Sequence, residues 1–339
     1  MAYVLGGSNN EADGFTTAIA NFALRAMHES NGLVNMTNVV TPTQGNEFLV
    51  PTFQAITYQD YVPSATGGSS GYGNADIQNP SLGQNSITAT PAVATTAFDV
   101  FYGWTTSFQL AATLGGELGE SFAEKVDQRV TKAFLSFKGT AGNTMEPVSK
   151  DGFYRVAALG AMELVPDGTT PSAPTAGFTT NSVVELVRNI KQNFKVARMP
   201  GSPVIVIDSN GNDGVVGSTL NRLLAELTGG AVSQSGGSNL SALGNELLSS
   251  GKIENIYGCQ VMSTTFLPSD SRVVAGTAGT SLVGAYFGDS ALFTVIKEGL
   301  QIKTGEAPQG LQQWLTGLGY FGAGVGDGRR GGAINIVQG

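Results

Sequence analysis

The chain of 339 residues has one cysteine, Cys259, and one histidine, His28. A single cysteine excludes a disulfide within the chain, and one Cys with one His excludes a structural zinc site built from those ligands. Charge is scarce too. Asp, Glu, Lys and Arg make up 13% of residues, about half the usual share. Before Lys125 the only basic residue is Arg25, against ten carboxylates, which leaves that stretch at −9. From Lys125 onward seventeen basic and sixteen acidic residues leave +1, for a net charge of −8. Phosphate neutralisation needs clustered Lys and Arg, so the N-terminal third is not expected to bind nucleic acid. No window approaches eighteen apolar residues, so no membrane-spanning helix is expected. The opening MAYVLGGSNNEADG lacks a basic region followed by an apolar run, so no secretory signal is expected. The expected compartment is the cytosol, or a particle assembled there.

Catalytic constellations are equally sparse. Hydrolysis by Ser or Cys commonly pairs the nucleophile with a positioned base. The one histidine sits in the N-terminal segment, and the carboxylates form no recognisable motif. Asp208-Ser-Asn-Gly-Asn-Asp-Gly214 matches a calcium loop at positions one, three and five. Position six is Asp213 where Gly belongs, and position twelve is Thr219 where Glu belongs. It reads better as a strand-to-helix turn whose Asp and Asn cap the next helix. The clusters Gly276-Thr-Ala-Gly279 and Gly322-Ala-Gly324 lack a full phosphate fingerprint and read as flexible loop and packed strand. No enzyme, metal site or cofactor is expected.

What is abundant is glycine, at 47 residues, with many Ser, Thr and Asn. A weakly charged, small-residue surface suits a protein that ends up against copies of itself better than a freely soluble monomer. The most periodic stretch is Trp104 to Lys138. Leu114, Leu118, Phe122, Val126 and Val130 recur every fourth residue, and Phe134 and Phe137 continue the stripe. This predicts a long amphipathic helix of about 50 Å, with Gly115, Gly116 and Gly119 bending or fraying its first turns. Before it, residues 14–29 read as a short helix. Phe48 to Val50, Phe53 to Tyr58 and Ile87 to Ala94 read as strands around a Gly/Ser/Asn-rich tip, Ser64 to Ser86. A tip that long marks a hairpin projecting from its domain.

After the long helix, strands are expected at 153–158, 161–165, 204–207, 260–266, 282–287, 291–303 and 333–337. Helices are expected at 181–198, 214–227 and 240–249. This is an α+β chain, without regular βαβ alternation and without internal repeats.

That order of parts resembles the major capsid proteins of tailed bacteriophages, the Hong Kong ninety-seven fold, and within it the short-tailed T-seven-like branch. The resemblance is strongest over PVIVIDSNGNDGVVGSTLNRLLAEL (203–227), GKIENIYGCQVMSTTFLP (251–268) and GAYFGDSALFTVIKEGLQIK (284–303). It implies an N-terminal arm at 1–32 and an extended loop at 33–103 that lies over a neighbouring subunit. It implies a peripheral domain with its spine helix at 104–178, an axial domain at 179–292, and closing strands of the peripheral domain at 293–339. The implied role is structural. Copies form pentamers and hexamers of an icosahedral virion shell around double-stranded DNA, with scaffolding and portal proteins as assembly partners in the host cytoplasm.

Some members weld the shell through lysines on the extended loop, but residues 33–103 contain none. Candidate contacts between copies are the carboxylates Glu47, Asp60 and Asp76 facing Lys125, Arg129 or Lys132. Arg329-Arg330 is read evenly as a solvated turn or a contact between subunits. The alternatives are an encapsulin-like compartment packaging a cargo enzyme, an unrecognised enzyme, and a phage tail or baseplate protein.

Overall fold

The computed structural model describes residues 21–23, 32–42, 45–53, 82–99, 107–137, 142–147, 154–165, 178–209, 219–227, 253–267, 280–306 and 312–337. In chain order the strands are β1 (Asn38–Val40), β2 (Glu47–Phe53), β3 (Leu82–Thr88) and β4 (Thr90–Asp99). Helix α1 (Ser107–Ala133) follows and tightens into a 3-10 turn at Phe134–Phe137. Next come β5 (Thr144–Pro147), β6 (Tyr154–Ala158), β7 (Met162–Leu164), β8 (Thr179–Thr180), α2 (Val183–Val196), β9 (Val204–Asp208) and α3 (Thr219–Leu227). The chain continues through β10 (Ile253–Ile256), β11 (Cys259–Thr264), β12 (Thr280–Phe287), β13 (Leu292–Glu306), β14 (Gln312–Val325) and β15 (Gly331–Val337).

Two sheets organise these elements. One has four strands in the order β1-β13-β14-β4. The other has seven, in the order β10-β11-β9-β12-β15-β7-β8. Strands β2 and β3 pair antiparallel from Glu47↔Thr88 to Phe53↔Leu82, so the expected hairpin is present. Residues 82–86, expected within its tip, are strand instead, because each has a β2 residue opposite it. Residues 54–81 and the expected helix at 240–249 lie outside the described residues. Strands β7 and β15, from stretches assigned above to the peripheral domain, are hydrogen-bonded into the seven-stranded sheet.

Helix α1 forms where the apolar stripe predicted it. Leu118, Val126, Val130, Phe134 and Phe137 are buried. Its glycines do not interrupt it, and one has a packing reason. A Cβ on Gly119 would sit 2.1 Å from the backbone oxygen of Ala23, whereas one on Gly116 would meet nothing within 4 Å. The absence of a side chain at Gly119 therefore lets the segment at 21–23 lie directly on the helix there. Gly119→Ala is expected to destabilise the protein by about 1–3 kcal/mol through this clash. Gly116→Ala is expected to stabilise it by up to about 1 kcal/mol through helix propensity. Urea denaturation of the two variants checks this, and equal signs would refute it.

Strand β14 is expected only at Gly322-Ala-Gly324, read above as packed strand; its earlier part is not, because Gln312–Val325 carries glycines at 317, 319, 322 and 324 and lacks a β-branched run. The glycines are what let it be covered. A Cβ on Gly319 would stand 2.1 Å from the Phe122 ring, and one on Gly322 would stand 2.3 Å from the Thr88 oxygen. Helix α1 thus presses onto the four-stranded sheet through Phe122, which meets Phe321 edge-on at 5.0 Å between ring centroids.

The seven-stranded sheet holds the larger core. Leu186, Val187, Ile190 and Phe194 of α2 pack on Ile205, Ile207, Val261, Tyr286 and Ile334. The start of α2 is fixed from another helix. Glu226 of α3 accepts from Ser182 Oγ (2.7 Å) and from the backbone N–H of Val183 (2.9 Å) and Val184 (2.8 Å). A carboxylate at that end satisfies orphan donors and complements the helix dipole.

Candidate subunit-contact surfaces

The four-stranded sheet ends at β4, whose outer edge has no strand partner among the described residues. The exposed side chains there include Val93, at 62%. A long apolar edge strand is a ready template for contact with another chain. Beside it runs a groove of about 520 Å³, with Pro91 to Ala94 of β4 on one wall and Leu118, Phe122, Lys125 and Arg129 of α1 on the other.

The hairpin root sits on the same sheet. Phe48 packs on Phe293 at 5.8 Å between centroids, and Val50 and Ile87 are buried against Val295. Asn85 Nδ2 donates to the Gly326 oxygen at 2.6 Å, and Lys297 Nζ donates to Asn46 Oδ1 at 3.0 Å. Because side chains alternate along a strand, burying Phe48 and Val50 turns Glu47 and Leu49 outward, with Leu49 51% exposed.

The candidate contact residues fall into three groups. Glu47, Lys125 and Lys132 are exposed, and Lys125 Nζ reaches only Gln128 Oε1, at 3.3 Å. Arg129 is turned toward its own chain. It donates to the carbonyl oxygens of Thr90 (2.8 Å), Pro91 (3.3 Å) and Phe321, and its guanidinium lies 4.2 Å from the Phe321 ring centroid. Arg329 and Arg330 flank Asp327. Arg329 Nε bonds to Oδ1 at 2.8 Å, and Arg330 Nε lies 3.3 Å from Oδ2. Burial pushes the Asp327 carboxyl up, but hydrogen bonds from Arg329 and the charges of both arginines outweigh it and hold it below the usual range. This turn also joins elements, since its carbonyls accept from the N–H of Leu159 and Gly288. Asp60 and Asp76 lie outside the described residues.

One residue that sequence reasoning passed over is Asp127. Its position on α1 is the buried face, and it is 5% exposed. Oδ1 has no hydrogen-bond partner among the described residues. Burial pushes its pKa up to about 7, and a backbone hydrogen bond from Leu33 works weakly the other way. The available signal was an Asp one residue after Val126 and three before Val130, inside the apolar stripe. Cys259 is buried, as expected for a structural thiol, and burial raises its pKa to about 11.

No group of three or more His, Cys, Asp or Glu placed to hold a metal is found among the described residues. No helix among them is long and apolar enough to cross a membrane. What the described surface does offer is an open strand edge, a groove and projecting hairpin side chains.

A family model described as phage capsid protein matches residues 104–335. The chain belongs to the phage capsid protein family. No curated protein matches its sequence. Solved structures agree on the fold. The capsid of cyanophage P-SCSP1u is 13% identical with a TM-score of 0.58, covering 90% of this chain and 87% of that one. The mature capsid of bacteriophage PhiM1 is 13% identical with a TM-score of 0.53, covering 88% and 85%. The capsid of the native GTA particle is 12% identical with a TM-score of 0.55, covering 91% and 90%. The phage capsid protein is therefore a structural component of a virion capsid with a mixed helix and sheet fold, as its sequence led one to expect.

Proposed function

We propose that many copies of this chain assemble into pentamers and hexamers of a closed icosahedral shell enclosing double-stranded DNA. The family match over residues 104–335 carries this reading. The open β4 edge, the groove beside it and the outward Leu49 support it, since they are the surfaces such an assembly would cover. A net charge of −8 suits a container that does not adhere to its polyanionic content. The parts follow the sequence division: arm at 1–32, extended loop at 33–103, peripheral domain at 104–178 with closing strands at 293–339, and axial domain at 179–292. In this reading β15 reaches across from the closing strands to the axial sheet. Scaffolding and portal proteins serve assembly in the host cytoplasm. The segments at 203–227, 251–268 and 284–303 favour the T-seven-like branch.

Glu47 and the loop carboxylates Asp60 and Asp76 are assigned to contacts with Lys125 and Lys132 of neighbouring copies. Arg129, Arg329 and Arg330 would join such contacts only with the donors left over from their own chain. Electron microscopy of negatively stained protein tests the shell: closed particles are expected, and rings, fibres or monomers alone would overturn it. The co-purifying content tests the rest. Long DNA is expected, and a protein cargo without DNA would replace the virion reading with a compartment.

The shell is expected to hold without covalent welds. No lysine lies between Arg25 and Lys125 to supply an amine from the loop, and Cys259 is single and buried. Boiling mature particles in SDS, with and without reductant, should give one band near 34.9 kDa. A ladder of covalent multimers would refute this.

A further inference from the structure

Helix α2 carries a one-sided row of cations. Arg188, Lys191 and Lys195 fall at i, i+3 and i+7, and Arg198 follows just beyond the helix end. Residues at that spacing share a helical face. The opposite face is buried through Leu186, Val187, Ile190 and Phe194. No Asp or Glu occurs from 186 to 207, so this is a concentrated patch on a chain of net negative charge. Arg188, Lys195 and Arg198 are exposed. Arg188 pairs with Glu185 at 2.6 Å, and Lys191 reaches Ser202 Oγ at 3.1 Å. Lys195 and Arg198 have no side-chain partner among the described residues.

Helix α1 carries the complementary row. Glu117, Glu120 and Glu124 stand at the same i, i+3, i+7 spacing, all exposed. None has an ion-pair or hydrogen-bond partner among the described residues. At 1.5 Å per residue each row is about 10 Å long. No ion pair joins the two rows within one chain among the described residues.

We infer that the basic face of α2 docks on the acidic face of α1 of a second copy. The inference rests on the shell reading and names one of its contacts. Equal length and opposite sign match the rows to each other. A DNA duplex would satisfy α2 but leave the glutamate row without a partner. The two rows lie on different elements, so the contact is head-to-tail. Each copy offers α1 to one neighbour and α2 to the other, which builds rings where the rotation closes and open chains where it does not, rather than closed dimers. Like charges set opposite each other oppose association, and complementary ones restore it.

Three full-length variants test this: Glu120→Lys with Glu124→Lys, Lys191→Glu with Lys195→Glu, and all four together. Thermal melts followed by circular dichroism establish that each is folded. Each double reversal is expected to cut the shell yield at low salt by about tenfold or more, and the fourfold variant to restore most of it. A fourfold variant no better than either double variant would overturn the inference while leaving the shell reading intact. So would double variants that assemble like wild type. If the Lys→Glu pair left shells unchanged but weakened binding of a short random-sequence duplex, the face would be a DNA contact and the inference would fall.

Should wild type form no shells, the shell reading falls, and mixing decides the helix contact separately. Neither double variant should self-associate, whereas the two mixed should form a larger species in sedimentation velocity. This would also hold if the fourfold variant failed to fold. No mixed species would overturn the contact.

Discussion

Between pH 4 and pH 7 burial of Asp127 is expected to cost the wild-type protein stability, and Asp127→Asn is expected to remove most of that loss and to be the more stable protein at pH 8. Asp127 is buried on the apolar face of α1 with Oδ1 unpartnered among the described residues. Its pKa rises from 3.8 to about 7 because burial disfavours the charged form. The sign follows from proton binding. Below pH 4 both folded and unfolded chains hold the proton, and the group contributes nothing to pH dependence. Between about pH 4 and pH 7 the unfolded chain releases it while the folded chain keeps it, so stability falls as pH rises. Above pH 7 both have released it, and the penalty is complete at about 4 kcal/mol.

Asparagine keeps an oxygen for the Leu33 N–H and never ionises. Urea denaturation of the dissociated full-length protein at pH 4, 6 and 8 measures the effect. A wild-type pH dependence that survives unchanged in Asp127→Asn would assign it to another group. Glu117→Gln, an exposed change on the same helix, controls for charge alone and is expected to leave the pH profile in place.

Arg129→Ala is expected to cost about 3 kcal/mol and to loosen β4. The guanidinium is the strut between α1 and β4. It donates to the carbonyl oxygens of Thr90, Pro91 and Phe321 and lies over the Phe321 ring. Hydrogen bonds from a charged donor are worth about 1.5–3 kcal/mol each, and truncation leaves the acceptors behind. Partial exposure lets water take over some of them, which keeps the total near one such bond plus the cation–π term. Arg129→Lys retains the charge but not the planar fork that spans several carbonyls, so it should recover less than half of the loss. Hydrogen exchange gives the local readout: amides of 90–99 should open in Arg129→Ala more than those of 204–208 in the other sheet. Uniform loss of protection would show a global effect and sink the strut account.

Periodicity was enough for the elements that bury one face. The stripe from Leu114 to Phe137 specified α1, and Val184, Val187, Ile190 and Phe194, of which only Val184 is not fully buried, specified α2, because a helix with one apolar face has few ways to hide it. The hairpin was legible from its apolar segments on either side of a glycine-rich tip. Strand β14 was legible only at its end, Gly322-Ala-Gly324, since Gly317, Gly319, Gly322 and Gly324 argue against a long strand locally. Their value appears only when Phe122 and Thr88 arrive from elsewhere in the chain.

The same division runs through the contact surfaces. Residue types and short spacings were enough to exclude an intrachain disulfide and a zinc site built from Cys and His, to show a charge split along the chain, and to predict a long helix and an antiparallel hairpin. Those properties depend on residue types and on spacings within a few turns. Which charges are already engaged depends on the folded chain. Arg129, Arg329 and Arg330 look equivalent to Lys125 and Lys132 in sequence, yet the first three are bonded to carbonyls or to Asp327 of their own chain. The tertiary structure also decided that Asp127 faces the core. An ion's partners, and the water it loses, depend on groups that folding brings from far along the chain, and no local pattern encodes them.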